Sequence, residues 1–231
     1  LIPIRLDLDI EGIKMRDTFT WNLNEQLLHP QTFAELLCED LHLPAQLFVP
    51  AIEKSMSEQI EDFYQVGGGG VGGRGVVGDA EGEGQEEVLD KPELRTVIKL
   101  DITVNNHTLV DQFEWDINCK RNNPEAFAEH MCYELNLSAE FKTAIAHQIR
   151  EQVQIFAKSL LLTDHNFDGL PIDDEEVAAA FLPPLDSDTV LRSAKNKALF
   201  GPYYNPVSDF EIERMERDRE RDTRCVGEYR R

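Results

Sequence analysis

Basic residues are scarce in this 231-residue chain, where 23 Lys and Arg stand against 44 Asp and Glu and give a formal net charge of −21. Extensive nucleic-acid binding needs clustered Lys and Arg, so this composition argues against it and favours a basic partner. No apolar run approaches the roughly 20 residues of a membrane-spanning helix. The four Cys include no close pair, which argues against a disulfide scaffold and makes a reducing compartment the default.

The chain matches itself when it is shifted by 94 residues, because Trp21 then falls on Trp115 and Pro30 on Pro124. Both Trp residues of the chain take part in this match. We therefore interpret it as a duplicated unit of about 63 residues, the size of a small domain. Apolar residues make up 41% of the chain, enough for one or two modest cores. The chain opens at Leu1 without Met or a signal peptide, and we expect it to be part of a longer protein.

Each copy predicts the order strand, strand, helix, helix. Apolar and polar residues alternate on both sides of Glu11-Gly12 and of Asn105-Asn106, which is typical of hairpins. Pro30 and Pro124 suit the first turn of a helix. The predicted apolar stripe of the first helix is Phe33, Leu36, Leu37 and Leu41. The predicted fold class is α+β: two tandem ββαα repeats joined by a flexible linker, then an extended segment and a C-terminal arginine-striped α-helix.

The predicted boundaries are 1–63 for the first repeat, 64–93 for the Gly/Glu-rich linker, 94–157 for the second repeat, 158–207 for an acidic, Pro-rich extended region with a short helix, and 208–231 for the C-terminal Arg-rich helix. Ten of the fourteen Gly lie in the stretch from Gly67 to Glu93. We expect this stretch to be flexible and to leave the angle between the repeats open. It lacks the Gly-Lys-Ser/Thr ending of a phosphate-binding loop, and no cofactor is predicted.

No spacing of His, Cys or acidic residues predicts a catalytic site, and we expect no enzymatic activity. Cys38 and Cys132 occupy equivalent positions of the repeats and suit a helix core better than nucleophilic attack. One loop fits the oxygen-ligand pattern of an EF-hand, with Asp164, Asn166, Asp168 and Glu175 at positions 1, 3, 5 and 12. Pro171 and Ile172 depart from that pattern. An acidic turn is therefore the preferred interpretation, and a calcium site is the alternative.

The C-terminal segment is the most distinctive local feature. Ser208 and Glu211 fit a capping box at the start of a helix. Arg214, Arg217, Arg221 and Arg224 follow at spacings of three, four and three, which places them in one stripe about 80° wide. Acidic residues line both edges of this stripe and would repel DNA. From spacing alone, two interpretations remain open: a solvated helix laced with ion pairs, or an arginine stripe that binds an acidic protein surface.

Several segments resemble the Snf-five (INI-one) family. They are Pro3–Asp7, Met15–Asp17, Phe19–Asn22 and Pro30–Phe33 in the first repeat, Ile98–Leu100, Leu109–Asp116 and Pro124–Phe127 in the second, and Glu213–Arg224 in the tail. Their order, the duplication and the tail agree together. The long insert between the repeats and the long stretch 164–204 are similar to fungal members.

The family supplies core subunits of SWI/SNF- and RSC-type ATP-dependent chromatin remodellers. The resemblance implies a nuclear, non-catalytic scaffold subunit that assembles with a Snf-two-type ATPase and whose repeats dock on SWIRM-domain scaffold subunits. It also implies that the tail helix binds the acidic patch of the histone octamer through Arg217, Arg221 and Arg224, with Arg214 as a further candidate. We expect little direct DNA binding by the repeats and no membrane association.

Two other functions remain open from the sequence. An acidic, chaperone-like histone-binding protein would use the stretch Asp79–Glu93 and would not depend on the tail helix. A calcium-binding regulator would use the Asp164–Glu175 loop and would gain thermal stability with calcium. The sequence does not separate SWI/SNF membership from RSC membership.

Overall fold

The computed structural model describes residues 1–67, 93–168, 170–183, 197, 200–208, 210–215 and 217–218, with side chains to residue 64 in the first range. The fold is mixed α+β. Its elements are β1 (Ile2–Ile10), β2 (Ile13–Trp21), α1 (Pro30–Asp40), α2 (Ala45–Gly67), β3 (Arg95–Val104), β4 (His107–Asp116), α3 (Pro124–Leu135), α4 (Ala139–Leu162), α5 (Glu175–Ala178) and β5 (Tyr203–Pro206). The order strand, strand, helix, helix thus occurs twice in the described residues.

The strands form two small sheets. β1 and β2 pair antiparallel, from Ile2 opposite Trp21 to Ile10 opposite Ile13. Glu11 and Gly12 make the turn with φ of 52° and 82°, the left-handed conformations that match the twist of a two-residue hairpin. The second sheet has the order β3-β4-β5. Both predicted hairpins are confirmed.

β5 differs from the extended link that the sequence predicts. Its four residues pair antiparallel with the first part of β4, and Tyr203 lies opposite Val110. Pro202 and Pro206 restrict the length of this strand, because proline has no backbone N–H to donate to a ladder. The pairing joins segments more than 90 residues apart, and no local pattern in the sequence contains that information.

The core of the first repeat lies between the sheet and two helices. Buried side chains come from alternate positions of β1, from one stripe of α2 and from Ala34 and Cys38 of α1. The predicted α1 stripe is partly wrong, because Leu36 and Leu41 are each 50% exposed. The small side chains of Ala34 and Cys38 face the core instead.

The segment of β3, β4, α3 and α4 has the same element order as the first four elements. Trp115 meets Phe127 edge-on at 5.6 Å between ring centroids. Pro30 and Pro124 both occupy the first turn of their helices, as predicted. In the first half of α4, Phe141, Ile145 and Ile149 lie on one face and are at most 2% exposed.

The chain divides into two compact units. The first contains residues 1–98 and the chain from residue 114 through α5. The second contains the hairpin tip, residues 99–113, with β5 and the C-terminal segment. No helix in the described ranges combines the length and the apolarity needed to cross a membrane.

Within the first unit, α4 of the second repeat lies against β1 and β2 of the first. Arg5 donates two hydrogen bonds to the Glu151 carboxylate, at 2.8 and 2.7 Å. Lys158 pairs with Asp62 of α2 at 2.8 Å. These contacts fix the angle between the two ββαα segments, which the sequence left open. Residues 68–92 of the predicted linker lie outside the described residues.

Candidate functional site at the C-terminal helix

The helix at the C-terminus begins with the predicted capping box. The Ser208 backbone N–H donates to Glu211 Oε2 at 3.0 Å, and the Ser208 hydroxyl donates to the same oxygen at 2.8 Å. In return, the Glu211 backbone N–H lies 3.4 Å from Ser208 Oγ. The hydrogen bonds from the backbone and then the hydroxyl of Ser208 lower the pKa of Glu211 below its usual value. Residues 210–215 and 217–218 are helical, and we refer to them as the C-terminal helix.

β5 leads directly into this helix and is fixed to the β3–β4 hairpin. The Val207 backbone N–H donates to the carbonyl oxygen of Asn106 in the hairpin turn at 2.8 Å. The Tyr204 ring stacks on His107 at 5.2 Å with an interplanar angle of 11°. The segment immediately before the helix is therefore held to the hairpin tip by backbone and side-chain contacts.

A groove of about 460 Å³ lies between the C-terminal helix and the β4–β5 pair. The strands and the turn after them contribute Thr108, Val110, Tyr203, Asn205, Pro206 and Val207 to its lining, and the helix contributes Glu211, Arg214, Met215 and Asp218. The strand side of this groove was not predicted from the sequence. A sequence signal for it is Val110, an apolar residue that lies exposed in β4 next to the fully buried Leu109.

Two of the four predicted arginines lie in the described helix, and both are exposed. Arg214 lines the groove, and its Nε is 4.0 Å from Oδ2 of Asp218, one turn further along. The Nε of Arg217 donates to the carbonyl oxygen of Glu213 at 3.2 Å. The exposed ion pair of Arg214 is weak, and Arg217 is bound only to a backbone carbonyl oxygen of its own helix in the described contacts. Arg221 and Arg224 lie outside the described residues.

Three residues of the calcium candidate, Asp164, Asn166 and Asp168, lie in an exposed loop, and the fourth, Glu175, is the first residue of α5. Asp164 has a left-handed backbone with φ of 55°, and the Asp168 carboxylate accepts a hydrogen bond from the Leu170 backbone N–H at 3.1 Å. Asn166 and Glu175 are exposed. Across the part of the chain that the structure describes, no group of three or more His, Cys, Asp or Glu is placed to hold a metal ion.

The repeat cysteines are core residues, as the sequence predicts. Cys38 is 1% exposed and Cys132 is 9% exposed. Burial raises the pKa of both thiols above the usual value. A thiol with a raised pKa carries little of the reactive thiolate at neutral pH, so neither side chain is suited to nucleophilic attack.

The chain, including this helix, is similar to known proteins over most of its length. The family model described as SNF5 / SMARCB1 / INI1 matches residues 1–224. The chain is 39% identical over 229 residues to the SWI/SNF chromatin-remodeling complex subunit SNF5 of Saccharomyces cerevisiae, and 37% identical over 244 residues to subunit snf5 of Schizosaccharomyces pombe. It is 30% identical over 231 residues to the chromatin structure-remodeling complex subunit SFH1 of Eremothecium gossypii. These alignments cover 97% of the chain but only 24%, 38% and 52% of the respective relatives.

Proposed function

The chain belongs to the SNF5 / SMARCB1 / INI1 family, and from this premise we propose that it is part of a non-catalytic subunit of an ATP-dependent chromatin-remodelling complex in the nucleus. The family expected from the sequence motifs is thereby confirmed. The observation that carries the functional proposal is the similarity, over 97% of the chain, to subunits named for SWI/SNF and for a chromatin structure-remodelling complex. Because both kinds of relative match, the proposal extends to SWI/SNF- and RSC-type complexes.

In this proposal the two ββαα units act as tandem repeats that dock on SWIRM-domain scaffold subunits. Large apolar side chains on or next to the helices support a docking role, because Leu36, Leu41 and Tyr133 are between 50% and 85% exposed. Exposed apolar surface of this kind is typical of protein interfaces. The close packing of α4 on β1 and β2 supports a scaffold in which the repeats act together.

The C-terminal helix is proposed to anchor the nucleosome through the acidic patch of the histone octamer. The exposed guanidinium of Arg217 supports this role, and the sequence spacing adds Arg221 and Arg224 to the same stripe. Arginine binds carboxylates through paired, charge-assisted hydrogen bonds that lysine does not reproduce. A short helix binds weakly alone, but the complex around it raises its effective concentration at the nucleosome.

Affinity purification of the full-length tagged protein from its own nuclei tests complex membership. We expect mass spectrometry to recover a Snf-two-type ATPase together with SWIRM-domain subunits. Recovery of histones without an ATPase would contradict the proposal and favour a histone chaperone.

The nucleosome-anchoring role makes a separate prediction. Replacement of Arg217 and Arg221 by Ala should leave the purified complex intact and slow nucleosome sliding, because exposed helix residues contribute to partner contacts and not to the core. Arg16→Ala with Arg121→Ala is the matched control, since it removes two exposed arginines from the repeats. Unchanged sliding by the Arg217/Arg221 variant would show that the helix does not anchor the nucleosome.

A further inference from the structure

The outer edge of β2 is the side of this strand that faces away from β1. In an antiparallel pair, every second residue points its backbone N–H and C=O outward. Thr18 is one of these residues in β2, and the carboxylate of its neighbour Asp17 accepts from its N–H at 2.8 Å. Nearer the turn, Arg16 and Lys14 point their backbone groups to the same side as Thr18. Among the described residues, β1 is the only strand that pairs with β2.

The corresponding edge of β4 is filled by a strand. The shift of 94 residues places Asp17 and Thr18 on Asp111 and Gln112, and the Asp111 carboxylate accepts from the Gln112 N–H at 2.8 Å. Nearer the turn, β5 pairs with β4 at the two positions that correspond to Lys14 and Arg16, which are Thr108 and Val110. A strand of four residues is therefore sufficient for an edge of this kind.

The part of β2 nearest its turn is accessible. Ile13, Lys14 and Arg16 are exposed, whereas Met15 between them is buried in the core. α4 lies against β1 and β2, but it bonds to the opposite end of the hairpin, at Leu1, Ile4 and Arg5. Residues 13–16 thus leave room for a further strand.

The side chains along this edge favour an acidic strand. Lys14 and Arg16 lie on one face, opposite Asp9 and Asp7 of β1, and Arg16 Nε donates to Asp7 at 3.1 Å. A carboxylate on the other side of Arg16 continues this alternation of charges, whereas a basic side chain there is repelled. Antiparallel pairing of two copies through the same edge brings Lys14 close to Arg16 of the other copy, so like charges disfavour that occupant.

The outer edge of β1 is unsuited to an acidic strand. The Gln59 side chain accepts from the Arg5 N–H at 3.0 Å and donates to the Arg5 carbonyl oxygen at 2.9 Å, so it occupies the place of a neighbouring peptide group. Pro3 has no N–H to donate. The other outward positions carry Asp7 and Asp9, which repel carboxylates. The first sheet therefore offers an acidic strand the edge of β2 and not that of β1.

We propose that residues 13–16 of β2 bind an extended segment of a partner protein that carries acidic side chains at alternate positions. The segment adds to β2 as β5 adds to β4. Hydrogen bonds to the backbone of Lys14 and Arg16 supply the affinity, and the two basic side chains supply the selectivity. This proposal does not depend on the function proposed for the C-terminal helix.

A synthetic peptide tests the edge by NMR of the full-length, isotope-labelled protein. The probe is acetylated and amidated Thr-Glu-Val-Glu-Thr. We expect it to shift the amide signals of residues 13–17 and to slow hydrogen exchange at Lys14 and Arg16, with Thr108 and Val110 unchanged because β5 already pairs there. A peptide with Lys in place of Glu should bind at least about threefold more weakly. No shift at residues 13–17, or equal shifts with a peptide methylated at its backbone nitrogens, would overturn the proposal.

Two variants separate backbone pairing from attraction between charges. Arg16→Gln keeps the outward N–H and should weaken binding about threefold. Arg16→Pro also removes that N–H, as Pro3 does in β1, and should abolish binding while the bonds to β1 remain. Lys120→Gln with Arg121→Gln is the matched control, since both residues are exposed and lie outside the sheets, and it should bind like the wild type.

Two results would contradict the proposal. Equal affinity of Arg16→Gln and Arg16→Pro for the peptide would show that no strand is added. Sedimentation of the free protein as a dimer that Arg16→Pro dissociates would show that a second copy occupies the edge.

Discussion

His147 shows how a single residue of α4 contributes to the contact between the repeats. Its ring is 1% exposed, and Nε2 lies 2.9 Å from the carbonyl oxygen of Ile4 in β1. Burial lowers the pKa of His147 below its usual value; Arg5 also lowers this pKa, whereas Glu151, the Ile4 carbonyl and Asp17 raise it. A ring that is neutral in the folded protein can donate its single N–H to the Ile4 carbonyl.

This lowered pKa predicts that stability depends on pH. Unfolding exposes His147 and returns its pKa to about 6.5, so below that pH the unfolded chain binds a proton that the folded chain does not. The stability contributed by the neutral ring should therefore be lost as the pH falls from about 7 toward the folded pKa. His147→Gln keeps an N–H donor but does not titrate. Between pH 7.5 and pH 5.5, its free energy of unfolding, measured with urea, should therefore fall less than that of the wild type.

Carboxylates provide the control for that experiment. Burial acts to raise the pKa of Glu151, but the hydrogen bond and charge of Arg5 outweigh it and the net pKa is lowered. A lowered carboxylate pKa removes stability only as the pH falls below about 4.5. An identical loss between pH 7.5 and 5.5 in the wild type and in His147→Gln would therefore show that His147 does not couple folding to pH.

At the scale of elements, local signals decided which segments could be predicted. Both hairpin turns, both helix-starting prolines and the Ser208–Glu211 capping box depend on residues close in sequence, and all were predicted. By contrast, the formation of β5 and the choice of which α1 residues face the core depend on partners that are distant in sequence. Tyr203 becomes part of a strand only because Val110 lies opposite it, and Ala34 replaces Leu36 in the core because of where α1 meets α2.

Two helix starts in the second repeat make a matched pair for a test of capping. The Asn123 side chain accepts a hydrogen bond from the Ala126 backbone N–H at 3.0 Å, whereas the side chain of Ser138 before α4 makes no capping hydrogen bond. Asn123→Ala should therefore lower the free energy of unfolding by about 1 kcal/mol. Ser138→Ala should lower it much less. Urea unfolding of the full chain measures both values, and equal losses would contradict this assignment.

At the scale of the whole molecule, the sequence motifs identify the family and predict a duplication, but they do not predict how the two ββαα segments meet. The self-match at 94 residues needs only the order of residues along the chain. The contact between α4 and the first sheet uses side chains such as Arg5 and Glu151, which are 146 positions apart and polar. Neither residue interrupts the pattern of its own strand or helix, so no periodicity in the sequence marks the contact.

The same limit applies to the candidate site. The capping box and the arginine spacing predicted a helix with a charged stripe, and the described part of that helix has exposed Arg214 and Arg217. The groove that distinguishes these two arginines requires β4, β5 and the helix together. Sequence spacing groups Arg214 with the stripe, and the structure adds that it lines the groove and lies 4.0 Å from Asp218.

A double-mutant cycle between the helix and the histone octamer tests the central claim most directly. The assembled complex, with or without Arg217→Ala and Arg221→Ala, is titrated with nucleosomes whose acidic-patch carboxylates are intact or replaced by alanine. We expect the arginine changes to weaken binding to intact nucleosomes about tenfold or more and to have little further effect once the patch is neutralised, because directly interacting groups are not additive. Equal losses on both kinds of nucleosome would contradict the claim that this helix binds the patch.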